Sequence, residues 1–231
     1  MSNYLKFLLL FLFSSTILAN SEKLLLEAVD KYRSPYLSTK MDISITSYKD
    51  NSTTGNDKYE VYHHNGESLV LIISGASKGN RVLLSNKGMY VAVKKSSRAI
   101  RITPIQRLLG QASYGDLASL KFSDDYNAKI LREEQDTIVL ELNSKSKKST
   151  YTKIHLWIDK DKHYPIKADA YLASGKIYKI IHYSLKDNLI NNITYTDPKI
   201  NNKKTVMSIL KIEKKKLSKR FFTSSGMKGK I

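Results

Sequence analysis

From Lys40 onward the chain repeats one pattern: short runs with apolar residues at every second position, broken by turn residues. That pattern restricts it to a mainly β fold, because a period of two places alternate side chains on opposite faces of a strand. Met41, Ile43 and Ile45 alternate with Asp42, Ser44 and Thr46 in the first run, 40–48. Further runs follow at 58–64, 68–74, 81–85, 89–94, 99–103, 137–143, 151–159, 166–173, 176–184, 188–195 and 204–213. Asn65-Gly66 marks a tight hairpin, Asn86-Lys87-Gly88 a turn, and Ser174-Gly175 a second hairpin. On the order of ten to twelve short antiparallel strands at this spacing predict a barrel or a large curved sheet.

Two segments break the alternation. Leu24, Leu25, Ala28, Val29 and Tyr32 recur at helical spacing, predicting an amphipathic helix from Ser21 to about Arg33, stopped by Ser34-Pro35. Pro104 to Leu120 carries Ile105, Leu108, Leu109, Tyr114, Leu117 and Leu120 among Gly110 and Gly115, and reads as a loop with short helical turns that packs inward. Such an insertion is a candidate lid or plug, or a simple cover for an open barrel end. Before the helix, Lys6, the apolar run Phe7 to Phe13 and the small residues up to Ala19 form a secretory signal, with cleavage near Ala19. Its apolar run is shorter than the roughly 20 residues a spanning helix needs; an uncleaved anchor is the alternative. The expected organisation is therefore a signal peptide at 1–19 and one domain at 20–231.

The chain has no cysteine, which excludes disulfides, thiolate metal sites and thiol catalysis. A formal charge of +18, of which the leader holds only Lys6, suits anionic partners, and for an exported chain these are membrane surfaces or envelope polymers rather than nucleic acid. No catalytic constellation emerges. His63, His64, His155, His163 and His182 are scattered, and the neighbouring pair would point to opposite strand faces. Asp124-Asp125, Glu133-Glu134 and Asp159-Lys160-Asp161 read as solvated turns, and the last lacks the glycine and glutamate of a calcium loop. The reading is of a protein that is not an enzyme, with no catalytic residue, no metal and no cofactor. The stronger signal is apolar excess: in 69–73, 89–93 and 177–183 both strand faces carry apolar or aromatic groups, more than a half-buried sheet uses. The second face must meet the helix, the lid segment or a ligand, unless the core is simply full.

From about Leu69 to Phe222 the chain resembles the outer-membrane lipoprotein-sorting proteins, relatives of a periplasmic lipoprotein carrier and its outer-membrane receptor (LolA/LolB-like). The resemblance rests on Asn86-Lys87-Gly88-Met89-Tyr90-Val91, Arg98-Ala99-Ile100-Arg101-Ile102, Gln106-Arg107-Leu108-Leu109-Gly110 and Ser113-Tyr114-Gly115-Asp116-Leu117. Trp157-Ile158-Asp159, Tyr164-Pro165-Ile166-Lys167 and Ser174-Gly175-Lys176 complete it. It implies a strongly curved antiparallel sheet, an unclosed β-barrel with helices on its concave face, enclosing a cavity for acyl chains in the periplasm. It also implies an acylated lipoprotein or lipid as cargo, an anionic membrane surface and an inner-membrane transporter as partners. Within that reading, strand parity nominates Leu71, Ile73, Tyr90, Leu140, Leu156, Trp157 and Ile180 as cavity contacts. Leu25, Val29, Ile105, Leu108, Leu109 and Leu117 form the lid, and Arg33, Arg98 and Arg101 are candidate gating residues. Without an anchoring cysteine the chain matches the soluble carrier better than the receptor. The other reading of the same features is an exported envelope scaffold with a basic surface and a filled core.

Overall fold

The structure is a computed structural model that describes residues 21–94, 96 and 98–228; the leader expected at 1–19 lies outside the described residues. Helix α1 occupies 21–33. Six strands follow: β1 (Ser38–Lys49), β2 (Ser52–His64), β3 (Glu67–Ile72), β4 (Arg81–Ser85), β5 (Gly88–Ala92) and β6 (Ala99–Ile102). A crossing segment then holds a small hairpin, β7 (Arg107–Leu109) and β8 (Ala112–Ser113), and two short helices, α2 (Tyr114–Ala118) and α3 (Phe122–Asp125). The second run of strands is β9 (Tyr126–Glu133), β10 (Thr137–Ser144), β11 (Lys153–Asp159), β12 (Pro165–Tyr171), β13 (Ile177–Lys186), β14 (Leu189–Asp197) and β15 (Ile200–Lys214).

Thirteen strands form one sheet in the order β6-β5-β4-β3-β2-β1-β15-β14-β13-β12-β11-β10-β9, every pair antiparallel. The chain starts in the middle of the sheet, works outward to the edge at β6, crosses through 103–125, and returns from the opposite edge at β9. Laid flat, such a sheet would be about 58 Å wide at ~4.8 Å per strand spacing. Met89 on β5 and Leu140 on β10, near opposite edges, nevertheless belong to one core cluster. The sheet must curl, and because β6 and β9 do not pair it remains an open barrel. The face carrying that cluster is its inner face.

Turn chemistry sets the hairpins. Asn65 and Gly66 both have positive φ (48° and 73°), as do Asp50-Asn51 (49° and 63°) and Asp187-Asn188 (53° and 59°). That is the left-handed pair whose twist matches the flanking strands, and Asn, Asp and Gly tolerate it best. Two departures from the sequence reading have simple causes. β2 begins at Ser52 and β15 at Ile200, because the tips 52–57 and 200–203, polar except for Ile200, extend beyond the core. They are held by ladder pairing and by side-chain hydrogen bonds from Thr54 to Ser47, Asn56 to Thr46 and Asn202 to Asp50. β9 was not anticipated, although Tyr126, Ala128 and Ile130 pack inward in alternation with outward Asn127, Lys129 and Leu131. The acidic pairs flanking it read as loop.

Two buried clusters divide the sheet's faces. The inner cluster unites β1–β5, β9–β15, α1 and the crossing segment. The outer one holds Tyr62, Leu69, Leu83 and Ala92 under Leu217, Phe222 and Met227 from the C-terminal segment, which makes two short 3-10 turns, Lys219–Phe222 and Gly226–Lys228. On the outer face of 69–73 and 89–93, Leu69, Leu71, Tyr90 and Ala92 are thus covered by the chain's own tail.

Gly110, at the tip of the β7–β8 hairpin, has φ +55° and lies so close to Thr205 and Ser47 in the middle of the sheet that a Cβ there would collide with both hydroxyls. Gly175 is also left-handed (φ +76°) but has open space around it. Gly175→Ala should therefore lose about 1 kcal/mol from backbone strain alone, and Gly110→Ala about 2 kcal/mol or more because the hairpin must lift. Urea denaturation of the two variants checks the order.

Candidate functional site

The site is the inner face and the segment that covers it. Segment 103–125 joins the two sheet edges, and Leu117, Ala118, Leu120 and Phe122 from it are buried against strands from both halves. Of the six expected lid residues, Val29 and Leu117 are members of the inner cluster, while Leu25, Ile105, Leu108 and Leu109 are partly buried against it.

The expected cavity contacts are divided. Leu140 and Leu156, cross-strand neighbours on β10 and β11, are fully buried on the inner face. The other five lie elsewhere. Leu71 and Tyr90 pack in the outer cluster beneath the C-terminal segment. Ile73 lies just past the end of β3 and is 39% exposed. Trp157 alternates with inward Leu156 and Ile158, and Ile180 with inward Lys179 and Ile181, so both face outward. Trp157 instead carries Lys167 and Arg132 over its ring, at 4.5 and 5.7 Å. A one-residue error in parity moves a side chain to the other face; β3 and β5 carry apolar residues on both faces, and on β13 the lysine at 179 points inward, against the rule that a charge marks the solvent side. The inward set at these strands is Val70, Ile72, Met89, Val91, Ile158 and Ile181.

Polar links, as well as apolar contact, hold the covering segment. The principal one is an ion pair that the sequence reading missed: Lys179 on β13 points inward, 1% exposed, and its Nζ donates to Asp116 Oδ2 at 2.6 Å. The same carboxylate accepts from Ser113 N–H and Oγ–H, both at 2.8 Å, and from the Tyr151 hydroxyl at 2.6 Å. The Lys179 ammonium also lies over the rings of Tyr195, Tyr151 and Tyr178, at 5.0, 5.4 and 5.5 Å. Burial by itself would raise the Asp116 carboxyl, but Lys179 and the hydrogen bonds from Lys179, Tyr151 and Ser113 outweigh it and hold it below its ordinary value. The lysine is pulled down by its own burial, against which the Asp116 charge and hydrogen bond work.

Four further links run along the segment. Gln111 N–H donates to Thr205 Oγ1 at 2.8 Å. The Ser68 hydroxyl donates to Ala118 C=O at 2.5 Å, so its oxygen accepts from His63 Nδ1–H at 2.9 Å and fixes the tautomer. Arg33 on α1 donates to Ser119 C=O at 3.1 Å and lies 4.4 Å over the Phe122 ring. Asp30, one turn earlier, accepts from Phe122 N–H at 2.6 Å and Ser123 N–H at 2.9 Å. Among the three arginines nominated from the sequence, Arg33 is the one these links use. Helix α1 also covers the β9 edge, where Glu22 accepts from Ile130 N–H at 2.9 Å. His63 and His64 face opposite sides as expected: His63 is buried inside, while His64 stacks on Phe222 outside.

With these links made, the segment covers the inner face, its apolar residues packed among those of both halves of the sheet. A gap of about 30 Å³ remains between Arg33, Asp116, Phe122, Tyr151, Tyr183 and Tyr195, room for about two or three waters at roughly 10–15 Å³ each by that measure. A larger cleft of about 550 Å³ opens where Pro104 and Ile105 meet the β10–β11 hairpin and Tyr171 to Ala173. Among the described residues no group of three or more His, Asp or Glu could hold a metal ion. No helix of the described residues is long and apolar enough to cross a membrane.

An open barrel of this topology, plugged by a segment crossing between its edges, is the fold of the LolA superfamily. A LolA superfamily protein from Nitrosomonas europaea superposes with TM-score 0.81 and 28% identity, covering 89% of this chain and 98% of its own. A DUF1329 family protein from Desulfovibrio piger (TM-score 0.72, 18% identity) covers 91% and 99%. A domain described as outer membrane lipoprotein-sorting from Vibrio parahaemolyticus (0.71, 17%) covers 91% and 100%; these two share the fold. A family model described as "Uncharacterized protein" matches residues 64–229, and the chain belongs to that family. No curated protein sequence matches it.

Two outcomes follow from these contacts. Lys179→Met leaves the Asp116 carboxylate buried without its cation and should cost about 3–5 kcal/mol, whereas Asp116→Asn/Lys179→Met should lose clearly less than the two single changes summed; chemical denaturation of the three variants measures this. His63 is pushed down to about 3 by burial and then by Lys121, His64 and Arg33. Its imidazole should keep neutral-ring NMR shifts to about pH 4. A depressed folded pKa means the unfolded chain takes up the proton first. The stability His63 contributes should therefore fall by about 1.4 kcal/mol per pH unit below about 6.5. Asp30, whose carboxyl burial raises, works in the opposite sense.

Proposed function

We propose that this protein is a periplasmic carrier that shelters acyl chains of a lipoprotein or lipid on its inner face and moves them between envelope membranes without covalent chemistry. The observation that carries the reading is the covering segment. An apolar inner face is closed by a stretch of chain that is not part of the main sheet, and polar links tie that stretch to α1 and to the sheet. The neutral links exchange for water or for a polar headgroup at little net cost, since a typical internal hydrogen bond contributes about 1 kcal/mol; the Lys179–Asp116 pair opens only where water or a headgroup reaches both charges. Each methylene transferred from water to the exposed inner face returns about 0.8 kcal/mol. A long chain therefore offsets the opening of several links and part of the apolar contact that Leu117, Leu120 and Phe122 give up.

In this mechanism the cleft beside Pro104 and Ile105 is the mouth. Segment 103–125 swings from the inner face, Lys179 and Asp116 separate, and the acyl chain lies along Leu140, Leu156, Ile181 and their neighbours. The leader read from the sequence at 1–19, with the outer membrane lipoprotein-sorting description of a similar structure, supports the periplasm as the compartment. The covered inner face favours a second reading, an envelope scaffold whose core is full. Acyl binding separates them. The delipidated mature chain should bind a fluorescent long-chain fatty acid and retain it in native mass spectrometry, and Asp116→Asn, which weakens the latch, should speed uptake several-fold. If neither the wild type nor Asp116→Asn binds the probe, the carrier reading is wrong and the scaffold stands.

A further inference from the structure

We infer that the loop between α1 and β1, together with the basic run at the end of β15, forms a surface that docks on an anionic lipid bilayer. Tyr36 and Leu37 are consecutive and exposed, Leu37 by 64% and Tyr36 by 39%. Single exposed apolar residues are ordinary on a protein surface; two together on a fixed loop are less so. The loop is fixed: Tyr36 C=O accepts from the Thr39 hydroxyl at 3.2 Å and the Ser34 hydroxyl at 3.3 Å, and both Ser34 and Thr39 are buried. Their anchorage leaves the two side chains projecting.

Directly across the ladder lies the charge. Thr39 pairs with Lys214, and Lys215 N–H donates to Ser38 C=O at 3.1 Å, so Lys215 and Lys216 flank Leu37. Lys214, Lys215, Lys216, Lys219 and Arg220 are all exposed within seven residues. Among the described residues none of the five is in an ion pair, and the adjacent acid, Glu213, is engaged by Lys211 at 2.8 Å. Leu217, between the two halves of the run, is drawn into the outer cluster, which pins the cations to the sheet. Projecting apolar side chains ringed by unpaired cations complement a bilayer with anionic headgroups: the rings and methyls enter the interface while the ammonium groups meet phosphates.

The inference goes beyond the carrier reading, since it assigns the end of the molecule that meets a membrane whatever the inner face holds. The surface is continuous with α1, whose Asp30 and Arg33 grip the covering segment. The test is flotation of the full mature chain with phosphatidylglycerol/phosphatidylcholine vesicles and with pure phosphatidylcholine vesicles. Binding to the anionic vesicles alone is expected. Each lysine near such a surface contributes about fivefold, so losing three cations alone costs on the order of a hundredfold; K214E/K215E/K216E, which reverses those charges, should weaken binding by more than that, and Leu37→Ser at least about tenfold. K78E/K87E/K176E, which changes net charge equally at exposed turns elsewhere, should weaken it far less. Equal loss in the two triple variants, or binding indifferent to lipid charge, would overturn the surface. Fatty-acid uptake measured in solution on the same proteins keeps the two ideas apart: uptake without vesicle binding sinks the docking surface, and vesicle binding without uptake sinks the carrier.

Discussion

A sheet of thirteen strands that curls without closing has an apolar inner face it cannot cover alone, and covering that face is the constraint from which the rest of the architecture follows. In a closed barrel the facing strands would fill the interior between them, and the edges would vanish. Here β6 and β9 stay apart, and the chain passing from one to the other lies across the hollow. Segment 103–125 is thus at once the connection between the two halves of the sheet and the material that fills it. Helix α1 adds a second cover and answers part of the open edge through Glu22.

The cover differs in kind from the sheet. Strands are joined by continuous ladders, whereas the covering segment is held at a few points: Gln111 on Thr205, Asp116 on Lys179, Ala118 on Ser68, and Ser119 with Phe122 on α1. The Asp116–Lys179 pair carries the largest stakes, because each charge is buried and each is intolerable without the other. Such a pair contributes little to net stability compared with apolar packing, but it defines one closed arrangement and is lost as a unit. This division between a rigid sheet and a point-fastened plug is what a carrier needs and what a permanently filled core does not.

The two faces of the sheet are treated differently. The inner face of β3–β5 is covered by the crossing segment, the outer face by the C-terminal segment with Leu217, Phe222 and Met227. The same tail carries Lys214 and Lys215 alongside the backbone next to Leu37, with Lys216, Lys219 and Arg220 following. The C-terminal segment therefore both seals the outer apolar patch and concentrates positive charge at one end of the molecule.

Much of this architecture was legible before any coordinates. Period-two alternation gave the strands, Asn65-Gly66 and Ser174-Gly175 gave two of the turns, and the helical spacing of Leu25, Val29 and Tyr32 gave α1. The apolar residues among Gly110 and Gly115 marked the crossing segment. These are properties of residues near one another in sequence, where side-chain period and backbone preference act directly. The facing of Leu71, Tyr90, Trp157 and Ile180, the pairing of Lys179 with Asp116 sixty-three residues away, and the covering of the inner face were decided only by tertiary structure. A strand apolar on both sides has no local preference for either face, and a buried charge gives no sign of its partner until the fold brings the two together.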